Sequence, residues 1–221
     1  MTDFAVARRM MVDGQVRTSD VTDPRIIAAM LDLARESFLP GEQADLAYLD
    51  LDVPVAPGAG RGGRCLLKPM VLAKMVQAAQ VRDCDHVLDV GCATGYSSAL
   101  LARLARSVVA LEQDPDLARS AELNLARLAG NATVVRGPLT EGWPARAPFD
   151  VIFLNGASEI VPRALFGQFA DQGRLIAVIG RAPTGRAILY RSIAGDVSGW
   201  PVFDAAAPVL PGFVAPPQFV F

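Results

Sequence analysis

The sequence predicts an α/β fold: a doubly wound, mostly parallel sheet with a helical N-terminal addition and an antiparallel C-terminal edge. Three observations carry this expectation. From residue 86 onward short apolar runs alternate with helical stretches, the pattern of right-handed βαβ crossovers. A Pro/Gly-rich stretch, residues 54–63, separates this body from a helical N-terminal part. After Gly185 no long helical pattern appears, only strand-like runs.

Residues 1 to about 50 read as helical. Asp20, or Thr22 followed by Asp23-Pro24, is a helix start, because proline suits a first turn. Ile26, Ile27, Met30, Leu31 and Leu33 then recur at helical spacing, and Phe38-Leu39-Pro40 closes the segment. Residues 69–79 form a helix with proline at its start. Residues 86–90 make a buried strand, 96–106 a helix with Leu100, Leu101 and Leu104 inward, and 107–111 a second strand. Asp114-Pro115 opens a helix that runs to Gly130. Strands are expected at 132–136, 150–154 and 173–179, with a short helix at 162–169. The runs 187–193, 202–209 and 218–221 complete the chain as edge strands.

Composition bounds the function. At about 150 residues per domain, 221 residues make one domain with an addition, divided here into 1–64 and 65–221. An apolar share of 52% and a charged share of 20% support a buried core and exclude a disordered chain. With 21 basic against 23 acidic side chains the net charge is −2, so no field draws the chain to nucleic acid or an anionic membrane. No apolar run reaches the roughly 18 residues that span a bilayer. Arg8 and Arg9 interrupt what would be the apolar region of a signal peptide, so a cytoplasmic location is expected. Cys65, Cys84 and Cys92 form no CxxC pair, and His86 is the single histidine. A metal centre or a histidine-based triad therefore has almost nothing to be built from, and the expected metal set is none.

The informative stretch is VLDVGCATGYSSALLA, residues 87–102. A strand ends in Asp89, a glycine turn follows, and a helix begins near Gly95. Ligands of open α/β sheets bind outside the carboxyl ends of the strands, and glycine there lets the backbone approach closely. A dinucleotide fingerprint starting at Gly91 would need glycine where Ala93 and Tyr96 stand, so the pyrophosphate reading fails. What remains, Asp-x-Gly-x-x-x-Gly, suits a nucleoside without phosphates, its polar atoms received by exposed N–H groups at the helix start. Glu112, 21 residues after Gly91, ends the second strand, where an acid can accept both ribose hydroxyls. Cys92 has no base partner in sequence and is expected to pack or to donate its backbone N–H.

Together with Met11-Val12-Asp13-Gly14-Gln15-Val16, Ala34-Arg35-Glu36-Ser37-Phe38-Leu39-Pro40, Glu141-Gly142-Trp143-Pro144 and Gly173-Arg174-Leu175-Ile176, these residues resemble the protein-L-isoaspartate O-methyltransferase family, within the S-adenosyl-L-methionine-dependent methyltransferases. The resemblance implies a seven-stranded Rossmann-like sheet, S-adenosyl-L-methionine as cofactor, and protein or peptide substrates with isoaspartyl residues, methylated on a carboxylate for repair. It implies cofactor contacts from Asp89, Gly91, Cys92, Ala93, Gly95, Glu112 and Gln113, and from Gly137, Pro138 and Leu139 after the third strand. It puts Leu67 in the acceptor loop, where Cys65 and Lys68 either shape the acceptor pocket or are plain loop residues; Asn155, at the end of the fourth strand on the same rim, either faces the methyl group or serves an Asn-Gly turn. An ionised carboxylate needs no general base, which suits a chain this poor in histidine.

Three positions depart from the family pattern. Leu67 stands where the family has a serine, Gly137-Pro138-Leu139 lacks the acid of Gly-Asp-Gly, and Ala93 replaces the central glycine, a mild exchange if its φ is negative. Two further readings follow: a methyltransferase of the same fold with another acceptor, or a non-catalytic relative acting through protein contacts.

Overall fold

The computed structural model describes residues 2–55 and 63–216, so the strand expected at 218–221 and most of the 54–63 loop lie outside the described residues. Within the N-terminal addition, α1 (Phe4–Met11) is capped by Asp3, whose carboxylate accepts the N–H groups of Ala5 and Val6. A π-helical turn, Val12–Val16, follows, and α2 (Pro24–Asp32) starts at Asp23 with proline in its first turn. Helix α3 (Pro69–Ala79) then leads into the alternating body: β1 (His86–Val90), α4 (Tyr96–Ala102), β2 (Ser107–Glu112), α5 (Pro115–Leu128), β3 (Ala132–Arg136), β4 (Phe149–Ser158), α6 (Arg163–Phe166), β5 (Phe169–Ile179), β6 (Arg186–Ile193) and β7 (Asp196–Asp204).

The seven strands lie in the order β3-β2-β1-β4-β5-β6-β7, the first five parallel and the last two antiparallel. The order reverses between β1 and β4, so the crevice outside their carboxyl ends is the place for a ligand. Alternate residues feed the two faces: Val87, Val108 and Ala110 join the cluster under α1 to α5, while Leu88, Val109 and Leu111 join the one under α6. The larger cluster runs without a break from Met11, Val16 and Met30 through Leu72 and Val76 to Leu100 and Leu125.

Several boundaries differ from expectation. Helix α4 stops at Ala102 because the Arg106 and Ser107 N–H groups turn to the Asp85 carbonyl to enter β2. Helix α6 keeps only four residues of the expected 162–169, and β5 begins at Phe169 rather than at 173. Strand β4 extends through Asn155 and Gly156 to Ser158, across a register irregularity against β5. The largest difference is β7, expected at 202–209. Ala194 (φ 53°) and Gly195 (φ 88°) make a two-residue hairpin turn with both φ values positive, which starts β7 at Asp196. The strand was hidden in sequence because it is an exposed edge, with Trp200 and Val202 in solvent and Pro201 at a bulge.

Candidate active site

Asp89, the last residue but one of β1, has its side chain fully buried. Its Oδ2 accepts the hydroxyls of Ser97 and Ser98, both at 2.6 Å, whereas Oδ1 has no partner among the described residues. Burial pushes its carboxyl up to about 6, opposed by the two serine hydroxyls and the nearby Arg64 guanidinium. The chain then turns through Gly91 (φ 80°) and Ala93 (φ 53°) to Gly95 (φ 96°), which caps α4. Ala93 therefore sits in the left-handed region, so its exchange for glycine is not the mild one of a negative φ.

The expected free N–H groups of this loop are used within the chain. Those of Gly91 and Cys92 go to the Leu111 carbonyl, that of Ala93 to Glu112 Oε2 at 2.8 Å, and that of Gly95 to the Cys92 carbonyl. The loop is pulled onto the end of β2 and buried, so its backbone groups must pair locally. Its carbonyls are held from outside: Asn155 Nδ2 donates to Gly91 O at 3.0 Å and Asn124 Nδ2 to Thr94 O at 2.9 Å. Asn155 is thus buried beneath the loop and positions it.

Glu112 is fully buried at the end of β2. Oε1 accepts the N–H groups of Gln113 (3.0 Å) and Asp114 (3.2 Å), and Oε2 accepts Ala93 N–H and Arg64 Nη2, the latter at 2.6 Å. Two residues that sequence reasoning missed close over the loop. The Arg64 guanidinium stands where a side chain on Gly91 would begin, 2.9 Å from the Cβ position, and Leu210 stands 3.1 Å from it. Leu210 belongs to residues 205–210, an extended stretch tied to β4 by Ala157 N–H to Pro208 O (2.8 Å) and Leu210 N–H to Ala157 O (2.9 Å). Both are long-range contacts with no local sequence signal.

Of the residues expected after β3, Gly137 donates its N–H to Glu112 O at 3.1 Å, Pro138 is exposed, and Leu139 is buried in the smaller core. Gly137 thus adjoins the end of β2 at Glu112, whereas the Leu139 side chain packs away from solvent. Gln113 is exposed beside them.

On the acceptor side the structure separates the expected residues. Leu67 is 1% exposed and part of the main core, and its carbonyl accepts Arg35 Nη2 at 2.7 Å. Cys65 is buried, with its thiol pushed up to about 12 by burial, and burial raises Cys92 as well, so neither is a nucleophile at neutral pH. Lys68 lines an open cleft of about 810 Å³ with Asp52, Arg181, Glu159, Pro208 and Val209. His86 lies at the other end of β1, against Ser107 Oγ and the Arg146 carbonyl, away from this crevice. The N-terminal addition buttresses the loop: fully buried Arg35 packs over the Tyr96 ring (4.8 Å), and Thr94 Oγ1 donates to Phe38 O at 2.7 Å.

The residues fit a nucleoside-bearing cofactor with an amino-acid portion. A glycine cradle filled by side chains, a carboxylate at the strand end, and buried polar atoms without partners among the described residues (Asp89 Oδ1, Arg64 Nε) are what such a ligand would complete.

Comparison with known proteins agrees. Residues 7–198 match the model of the protein-L-isoaspartate(D-aspartate) O-methyltransferase family. A protein-L-isoaspartate O-methyltransferase of Koribacter versatilis is 36% identical over 196 residues, 88% of this chain and 86% of that protein. One of Anaeromyxobacter sp. is 39% identical over 204 residues, 91% and 80% of the two chains. Among solved structures, a protein-L-isoaspartate O-methyltransferase superposes with a TM-score of 0.79 at 24% identity, covering 93% of this chain and 66% of that one. A Plasmodium falciparum structure assigned to the beta-aspartate methyltransferases, in complex with S-adenosyl-L-homocysteine, gives 0.76 at 17% identity, covering 95% and 99%.

Proposed function

Because the chain belongs to the protein-L-isoaspartate O-methyltransferase family, we propose that it methylates the free carboxylate of isoaspartyl residues in proteins and peptides, at the crevice between β1 and β4. The observation that carries this reading is the buried loop from Asp89 to Gly95 facing Glu112 at the point where strand order reverses. When bound, S-adenosyl-L-methionine supplies an electrophilic methyl group on a sulfonium.

The chain's own contribution is binding, orientation and exclusion of water. Glu112 is the ribose ligand, already oriented by the N–H groups of Ala93, Gln113 and Asp114. Gly91 leaves room for the ligand, while Asn155 and Asn124 hold the loop in place. The acceptor is an ionised carboxylate at neutral pH, so no side chain has to remove a proton. Lys68 stands in the cleft that adjoins the acceptor loop and supplies the positive charge that orients that carboxylate. With the Leu67 side chain in the core, its family-serine position cannot orient the acceptor, and Lys68 takes that role.

The test is radiolabelled methyl transfer to matched isoaspartyl and aspartyl peptides, alongside calorimetry with S-adenosyl-L-homocysteine. Transfer to the isoaspartyl peptide alone is expected, with Lys68→Met raising KM more than it lowers kcat. Cofactor binding without transfer to either peptide would favour a different acceptor. No binding at all would favour a non-catalytic relative.

A further inference from the structure

Arg64 is a cation in the crevice that no motif marks. It precedes Cys65 in the short antiparallel pair Val53–Pro54 with Cys65–Leu66, which places its side chain over the glycine loop. Its side chain is 11% exposed, with Nη2 2.6 Å from Glu112 Oε2. A Cβ at Gly91 would lie 2.9 Å from Nη2 and 3.3 Å from Nη1, so the guanidinium fills the very space that the glycine leaves open. Its Nε is buried and has no acceptor among the described residues.

Glu112 does not depend on this partner. Three backbone N–H groups already bind its two oxygens. The guanidinium, by contrast, uses among the described residues one arm of a five-donor fork whose geometry matches a carboxylate bidentately. The cofactor brings two groups here with complementary needs. Its ribose carries hydroxyl donors, which suit Glu112, and its amino-acid portion carries a carboxylate, which needs a cation.

We propose that Arg64 is a cofactor ligand: its pairing with Glu112 is the resting state, and it passes to the cofactor's amino-acid carboxylate as the ribose hydroxyls take Glu112. This rests on the proposed function and adds a residue to it. The consequence is a split in affinity between ligands that carry the amino-acid portion and ligands that lack it.

The experiment titrates the full chain by calorimetry with S-adenosyl-L-homocysteine and with 5′-methylthioadenosine, which keeps the nucleoside and thioether but has no carboxylate. Arg64→Ala is expected to weaken S-adenosyl-L-homocysteine by about tenfold to hundredfold, the size of a lost charged hydrogen bond. The same variant should bind 5′-methylthioadenosine as tightly as the parent or more so, because a competitor for Glu112 is gone. Arg64→Lys should restore part of the first loss, since the charge returns without the fork. Equal losses for both ligands would overturn the assignment in favour of a structural role, and so would an unchanged affinity for S-adenosyl-L-homocysteine. A parent chain that binds neither ligand would instead count against the function itself.

Discussion

Two buried arginine–carboxylate pairs stand at opposite ends of the sheet, and they are built differently. At the amino end Arg174 on β5 meets Asp85 at 2.5 Å, with side-chain exposures of 6% and 5%. Every arm of that guanidinium is engaged: Nε with Ala79 O, Nη1 with Asp150 O, and Nη2 with Gln80 O as well as Asp85. Asp85 also accepts Arg82 N–H at 2.8 Å. The pair joins the end of α3 to β1 and β5 and leaves nothing for a ligand. At the carboxyl end Arg64 has, among the described residues, one acceptor and no partner for Nε, and it rests on a glycine. A completed network holds a fold together; the incomplete one beside a glycine cradle is where we propose that the ligand binds.

Removing each arginine is the strongest test of that distinction. Arg174→Ala leaves Asp85 charged and buried and frees three backbone carbonyls, so it should cost about 3–5 kcal/mol in urea unfolding. Arg64→Ala leaves Glu112 with three N–H donors and should cost about 1 kcal/mol. Equal costs would erase the contrast between the two ends.

Next in size is a pH effect from Asp89, which lies beneath the incomplete pair. Burial pushes its folded carboxyl up to about 6, above the ordinary value of 3.8, so between the two the folded state keeps a proton that the unfolded chain loses. Stability from this group therefore falls as pH rises from about 4 to about 6 and is level outside that window, by up to about 3 kcal/mol. Asp89→Asn keeps the shape and removes the titration. The stability of this variant relative to the parent should rise across that window in a series of urea melts. A flat difference would place Asp89 in a better-solvated setting than the structure shows.

A third test separates binding from folding at Glu112. Glu112→Gln should weaken S-adenosyl-L-homocysteine by about 2 kcal/mol through loss of the charge. Asp85→Asn, its counterpart at the amino end, should leave that affinity unchanged and lower the melting temperature instead. If both variants lost affinity alike, the crevice would not be confined to the carboxyl end.

How far the sequence reached follows the same division. Residues whose role is set by neighbours in the chain were legible: α3, β1 and β3 begin and end where their prolines and apolar runs place them. The placement of Asp89, Gly91 and Glu112 was legible too, because a strand, a tight turn and a strand end are local features. Arg174 was visible only as a motif residue, and its buried partners, 89 to 95 positions away, were not. Arg64 and Leu210 reach the loop from distant segments, and Leu67 is drawn into a core that no local pattern announces. Exposure misled at β7, an edge strand with Trp200 and Val202 in water and its regular alternation broken by the bulge at Pro201.

The smallest expected effect concerns backbone strain. Ala93 and Ala194 share a φ of 53°, a conformation that costs an L-residue about 1–2 kcal/mol. Ala194 is exposed in the β6–β7 turn, so Ala194→Gly should relieve the strain, give back part of it as chain entropy, and stabilise by about 0.5–1 kcal/mol. Ala93 is fully buried in the main core, and its left-handed turn aims the N–H at Glu112. Ala93→Gly relieves the same strain but also gives up a buried methyl, about 0.8 kcal/mol. Its net effect should lie within about 0.5 kcal/mol of zero, with the Glu112 contact retained. Thermal melts of the two variants side by side decide the matter. A gain at Ala93 as large as that at Ala194 would mean that its methyl is poorly packed, and that the loop under Arg64 is less tightly built than the turn at the far edge of the sheet.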